Sequence, residues 1–403
     1  MQRRLWQILA VLLAFTLVAA ACGDDEDDVA SGSDSSSEAD DDTSTDSDSA
    51  SEAADDDTAA EDAATDSGGT SDVTAAFVYI GEPGDAGWTF AHDNGRQFAE
   101  EQTGATTLTV ENIPEGSPDF DTAVRDFIDQ GADVIFATSF GYMDAMEALA
   151  GEFPDVAFAH ATGYLSNDTN FGNYFGRIYQ ARYLTGLAAG EASASGNIGY
   201  VAAFPIPEVI RGINAFTLGV KEANPDATVT VNWTFTWFDP AVEGDAANAL
   251  LEGGADLIAM HQDSTAAGEA AEAAGARWVS YNSDMSAFAP DAYLASAIWD
   301  WGPYYASVIE AVADGSYAGG AYWGGMADGI VQIGSLADDV SAETTALIEE
   351  RAAAMIASEF DPFTGPINDQ DGNEVVAAGV VPADGDLLGM AYFVEGVIGS
   401  AEG

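Results

Sequence analysis

Residues 76–96 read AFVYIGEPGDAGWTFAHDNGR. Phe77, Val78, Tyr79 and Ile80 form a short apolar run bounded by turn residues, the pattern of a strand buried on both faces of a parallel sheet. Gly81, Pro83, Gly84, Asp85 and Gly87 stop it. From Thr89 the spacing turns helical, with Trp88, Ala91, Gly95 and Phe98 on one stripe and His92, Asp93, Arg96 and Glu100 on the other. Loops at the carboxyl ends of strands line the ligand crevice of an open α/β sheet. Here such a loop carries a carboxylate, Asp85, and an indole, Trp88. A surface turn followed by a core tryptophan is the competing reading.

Working outward, the same unit recurs. Residues 107–110 form a second strand and 119–130 a helix with Phe120, Val124, Phe127 and Ile128 on one side. A third strand, 134–137, runs into Thr138-Ser139-Phe140-Gly141-Tyr142-Met143, again an aromatic loop where a crevice belongs. After a compact, small-residue helix at 179–190 the pattern restarts. Strand 228–234 leads into Thr236-Trp237-Phe238-Asp239-Pro240, strand 257–260 into His261-Gln262-Asp263-Ser264, and strand 278–281 into Asn282-Ser283-Asp284. Alternating strands and helices predict parallel βαβ units, and two similar halves predict two doubly wound lobes facing one cleft. The expected division is 73–174 with 285–318 for the first lobe and 175–284 with 319–403 for the second. Such an arrangement requires several crossings of the hinge.

The chain starts with Met1-Gln2-Arg3-Arg4, an uncharged run to Ala21, and Cys22. A basic start, a short apolar stretch and small residues before a cleavage point make residues 1–22 a secretory signal peptide. Ala19-Ala20-Ala21-Cys22 resembles a bacterial lipobox, and Cys22 is the only cysteine, so lipidation of its thiol is expected and an internal disulfide is not. Residues 23–72 are almost entirely Asp, Glu, Ser, Thr, Ala and Gly. They cannot bury enough apolar surface to offset chain entropy, and read as a disordered acidic tether.

That tether holds 20 of the 69 acids; the remaining 49 face 8 bases, which leaves the folded part near −41. A body this acidic is unsuited to nucleic acid, whose phosphates need basic neutralisation. The three histidines are widely separated and no His/Cys/acid cluster has ligand spacing, so no metal site or cofactor is expected. No Gly-x-Ser-x-Gly elbow, P-loop or Gly-x-Gly-x-x-Gly fingerprint is present, which argues against an enzyme. His92 reads as a helix-surface residue, and Trp299, Trp301 and Trp323 as packing residues between lobes.

Gly84-Asp85-Ala86-Gly87-Trp88, the 138–144 loop, Ala181-Arg182-Tyr183-Leu184-Thr185-Gly186-Leu187-Ala188-Ala189-Gly190, Phe238-Asp239-Pro240, Asn282-Ser283-Asp284 and Gly324-Gly325-Met326-Ala327-Asp328-Gly329 follow one another in the chain. Together, over residues 76–381, they resemble the basic membrane protein (BMP) family, lipid-anchored substrate-binding proteins of ABC importers. The resemblance implies the type I periplasmic-binding-protein fold, a purine base, nucleoside or riboflavin as ligand, and a permease with its ATPase as partners. It implies that aromatics of opposite lobes sandwich a flat heterocycle, with Trp88 and Phe238, beside Trp237, in those roles. Asp85 would bind ring N–H groups and Asp284 a ribose. Phe140, Tyr142, Asp263 and Asn282 complete the candidate ligand-binding set. Trp88 and the 261–264 loop depart from the nucleoside-binding pattern, which suggests a base-only ligand such as adenine. Asp85 and Asp284 equally suit helix capping. A surface receptor or adhesin of the same fold is the alternative function.

Overall fold

The structure is a computed structural model and describes residues 72–403. The signal peptide, Cys22 and the acidic segment through residue 71 lie outside the described residues.

The first half alternates strand and helix: β1 (Thr74–Val78), α1 (Trp88–Thr103), β2 (Thr106–Val110), α2 (Pro118–Asp129), β3 (Val134–Ala137), α3 (Met143–Glu152), β4 (Ala157–Ala161) and β5 (Phe171–Gly176). The second continues with α4 (Tyr179–Ala192), β6 (Asn197–Ala202), α5 (Pro207–Ala223), β7 (Thr228–Trp233), α6 (Pro240–Glu252), β8 (Leu257–His261), α7 (Ala266–Ala274) and β9 (Arg277–Asn282). Then come β10 (Tyr293–Trp299), α8 (Gly302–Ala313), β11 (Gly320–Gly324), β12 (Val331–Ile333) and α9 (Ala342–Ile356). A terminal segment carries β13 (Ile367–Asn368), β14 (Glu374–Val376), α10 (Asp384–Leu388) and β15 (Val397–Ile398). Asp371-Gly372 makes the turn between β13 and β14, with Gly372 at φ +80 and the strands antiparallel.

Two sheets result, with strand orders β11-β5-β4-β3-β1-β2 and β12-β10-β9-β8-β6-β7-β15. Within these two sheets every pair is parallel except β10 with β12. The chain passes between sheets three times, after β5, after β10 and after β11. Ile198, Leu257 and Val279 at 0% exposure illustrate why the central strands read as uninterrupted apolar runs: helices cover both faces.

The expected lobe boundaries need correction at two strands. β10 was assigned to the first lobe but lies between β9 and β12 in the second sheet, whereas β11 extends the first sheet beside β5. A doubly buried strand is apolar whichever sheet receives it, so its composition carries no address. What holds β10 in place is tertiary: the Ser296 hydroxyl donates to the Ser283 carbonyl (2.7 Å) and meets Ser280.

The small residues of α4 have a packing cause. A Cβ at Gly186 would lie 2.2 Å from the Phe216 carbonyl oxygen, and one at Gly219 of α5 would lie 2.1 Å from that of Tyr183. Only glycine permits α4 and α5 to touch backbone to backbone.

Candidate ligand cleft

The loops at the carboxyl ends of both sheets meet across a cleft. From the first lobe come Ile80 after β1, Trp88 at the start of α1, Ser139 and Phe140 after β3, and Thr162 after β4. From the second come Glu208 at the start of α5, Trp237 after β7, His261 and Asp263 at the end of β8, and Tyr281 of β9. They enclose a narrow slot between the lobes. An outer chamber, lined by Glu82, Asp85, Phe204, Phe235, Phe238 and others, adjoins it across Ile80, Trp237 and Asp263.

The lobes touch at the slot. The Ser283 hydroxyl donates to the Ala86 carbonyl at 2.5 Å, and a Cβ on Gly87 would lie 2.3 Å from the Asp263 carbonyl oxygen. Gly87 thus lets the first-lobe loop lie directly on the β8 loop.

Trp88 is half-buried. Its indole N–H donates to the Thr138 carbonyl (2.6 Å), and its ring packs edge-on against His92, Trp299 and Trp301. Behind it the rings form a continuous stack, His92 on Trp301 (4.9 Å) and Trp301 on Trp299 (4.6 Å). These tryptophans pack between lobes, as the sequence suggested. His92 corrects the surface reading: it is fully buried, its Nδ1 pairs with the Tyr305 hydroxyl, and burial drives its pKa well below the usual value. A helix wheel could not show this, because α8 covers the face that an isolated α1 would leave to solvent.

Phe140 is fixed from below. The Glu115 carboxylate accepts from the Ser139 hydroxyl (2.5 Å) and the Gly141 N–H (2.7 Å), and the His160 ring N–H donates to the Ser139 carbonyl (2.7 Å). Burial lowers the His160 pKa to about 4.

The second wall is built on charge. Arg182, fully buried, donates to the Met260 carbonyl and stacks 3.8 Å from the centre of the Tyr281 ring. In front of it His261 Nε2 lies 3.4 Å from Glu208, and burial holds the imidazole near pKa 4, so it is neutral at pH 7. Asp263 Oδ1 accepts from Asn282 (2.8 Å), whose own amide oxygen accepts from the Trp299 indole (3.2 Å).

The structure sorts the nine candidate side chains. Trp88, Phe140, Trp237 and Asp263 line the slot. Phe238 is corrected outward: it is 52% exposed and faces only the outer chamber, while its neighbour Trp237 turns in against Phe204 and His261. Asp85 also lines the outer chamber, but its carboxylate is engaged by the N–H groups of Gly87, Thr89 and Phe90 (2.8, 2.9 and 2.9 Å). The capping reading therefore holds for Asp85. Tyr142 is a core residue, stacked on Phe120 at 4.4 Å and bonded to the Ile113 carbonyl. Two steps along the 3₁₀ turn at Phe140–Tyr142 rotate a side chain by about 240°, so the two rings cannot share a face. Asn282 stands behind Asp263 and positions it. Asp284 is exposed, accepts from Ser286 N–H and Ser335 (2.7 Å), and lines neither chamber.

Ile80, Ser139, Thr162, Glu208, His261 and Tyr281 line the slot without having been singled out. Most lie within a few residues of a strand's carboxyl end. That position was readable; which way each side chain points was not.

Two parallel-sheet lobes, crossed three times and closed over a chamber of aromatic and acidic side chains, define a solute-binding protein. Residues 72–359 match the family described as ABC transporter substrate-binding protein, PnrA-like, and the chain belongs to that family. Over 326 residues it is 44% identical to a purine-binding protein of Brucella abortus, covering 80% of this chain and 91% of that one. Over 338 residues it is 42% identical to a putative ABC transporter glucose-binding protein of Haloferax volcanii, covering 83% of each. Among solved structures, an ABC transporter solute-binding protein from Conexibacter woesei superposes with TM-score 0.60 at 21% identity, covering 72% of this chain and 98% of that one. At that identity the likeness concerns the fold.

Proposed function

We propose that this substrate-binding protein takes a purine base or nucleoside into the slot and delivers it, from outside the cytoplasm, to the permease and ATPase of an ABC importer. The observation that carries this reading is one slot lined by indoles of opposite lobes, Trp88 and Trp237, with Phe140 and Tyr281 beside them. A purine presents two apolar faces and a polar edge. Stacking supplies roughly 1–3 kcal/mol per base, and each edge hydrogen bond about 0.5–1.5 kcal/mol, or about 1.5–3 kcal/mol where the protein group is charged. Glu208, His261 and Asp263 offer the edge contacts. Among the described residues no Lys or Arg lines the slot, which disfavours phosphorylated ligands.

The purine-binding relative supports the reading, and the putative glucose-binding one supplies its rival. Calorimetry with adenine, guanine, adenosine, riboflavin and glucose separates them. A purine binding at about 1 μM or tighter is expected, since one sandwich and two edge bonds reach that range. Tight glucose with no purine binding overturns the proposal.

A lipid on Cys22 would hold the protein at the membrane. Cys22→Ser is expected to move it from the membrane to the soluble fraction of cells, and retention there would refute lipid attachment at Cys22.

A further inference from the structure

Asp263 is the more deeply buried of the two acids that line the slot. It is 9% exposed at the end of β8, and lines both the slot and the outer chamber. Its Oδ1 accepts from Asn282 Nδ2 at 2.8 Å, and Oδ2 has no hydrogen-bond partner among the described residues. The backbone of Gly87 closes over its peptide.

The charged groups facing it from the neighbouring elements are acids: Asp85 from the loop before α1, Glu243 from α6 and Glu208 from α5. Glu243 is itself buried and occupied with Ser264 and the Asp239 N–H. His261 is neutral, and Arg182 donates through Nη1 to the Met260 carbonyl and lies over the Tyr281 ring; its Nε and Nη2 have no hydrogen-bond partner among the described residues, and it forms no ion pair with Asp263. Among the described residues no cation pairs with Asp263, and ionising a buried carboxyl group beside three other acids without a paired cation is costly. Burial and the Asp85 carboxylate raise its pKa well above the ordinary range.

We infer that Asp263 meets the ligand as a neutral carboxyl group, donating its O–H to a ring nitrogen and accepting an adjacent exocyclic N–H. The slot therefore selects an edge with a donor beside an acceptor, as on the amidine edge of a 6-aminopurine. An ionised carboxylate would accept that N–H but repel the lone pair of the ring nitrogen next to it. It would suit instead an edge of two donors, such as N1–H and the 2-amino group of guanine. Both reactions are simple association: no bond is made or broken, and the proton stays on Asp263.

The inference rests on the purine reading, and asparagine tests it apart from that reading. The Asn side chain offers the same acceptor and donor as a neutral carboxyl and can never ionise. Adenine affinity is measured by calorimetry for the wild type, Asp263→Ala and Asp263→Asn between about pH 6 and about pH 8.5, where adenine stays neutral. Alanine is expected to weaken adenine by about thirtyfold or more, the loss of two edge bonds. Asparagine is expected to regain more than half of that loss on a logarithmic scale. The wild-type affinity does not rise with pH, and falls where Asp263 ionises. An asparagine variant nearer to alanine than to wild type overturns the inference, as does an adenine affinity that rises with pH, or alanine binding as tightly as the wild type. If no purine binds the wild type at any pH, the proposed function itself fails. If purines bind but asparagine does not rescue, only the neutral carboxyl fails.

Discussion

Gly87→Ala weakens ligand binding by about fivefold to 150-fold and leaves the melting temperature of the ligand-free protein within about 2 °C of the wild type. The added methyl would sit 2.3 Å from the Asp263 carbonyl oxygen and 2.9 Å from the Asp263 Cα, both backbone atoms of the opposite lobe. Neither can swing away as a long side chain could. Forcing such contacts apart costs about 1–3 kcal/mol, charged only to the closed arrangement, because in an opened cleft the methyl faces solvent. A ligand held between two lobes gains its second set of contacts only on closure, so the penalty appears in affinity. Calorimetry beside a melting curve checks this. Unchanged affinity would mean that the Gly87–Asp263 contact is no part of the bound state. A collapsed melting temperature would mean that Gly87 serves folding.

Trp88→Ala removes one wall of the slot. The stacking lost is worth roughly 1–3 kcal/mol, or about fivefold to 150-fold in purine affinity. Trp88 also packs against His92, Phe175, Trp299 and Trp301, so the truncation leaves a hole in the first lobe's aromatic cluster. Stability is therefore expected to fall by about 2–4 kcal/mol as well. Trp88→Phe separates the effects: it keeps a flat face but loses the N–H bond to the Thr138 carbonyl. It is expected to retain affinity within about tenfold. If Trp88→Ala binds purines as tightly as the wild type, the tryptophan is core and the sandwich is wrong.

Most of the fold was legible because its elements are local. The apolar run at Phe77–Ile80, the break at Gly81–Gly87 and the helix beyond needed only period and turn chemistry. The position of ligand loops at strand ends followed from the parallel sheet. What failed was direction and partnership. Trp237 and Phe238 are adjacent and chemically alike, yet one faces the slot and the other is half exposed. Tyr142 and Asp284 stood in the right loops and turned out to serve the core and a surface turn. Glu208 and His261 went unranked because, in a chain with 69 acids, a carboxylate near a strand end says little until its neighbours are known.

Composition and periodicity alone thus settled that this is an acidic α/β protein of repeated strand-loop-helix units with aromatic loops at the strand ends. Those are properties of short segments, written in the order of their own residues. Only the assembled structure decided that β10 joins the second sheet and β11 the first, that Asp85 caps α1, and that Asp263 lies buried beside other carboxyl groups and forms no ion pair among the described residues. Each depends on groups far apart in the chain, and burial, charge environment and side-chain direction exist only once those groups are brought together.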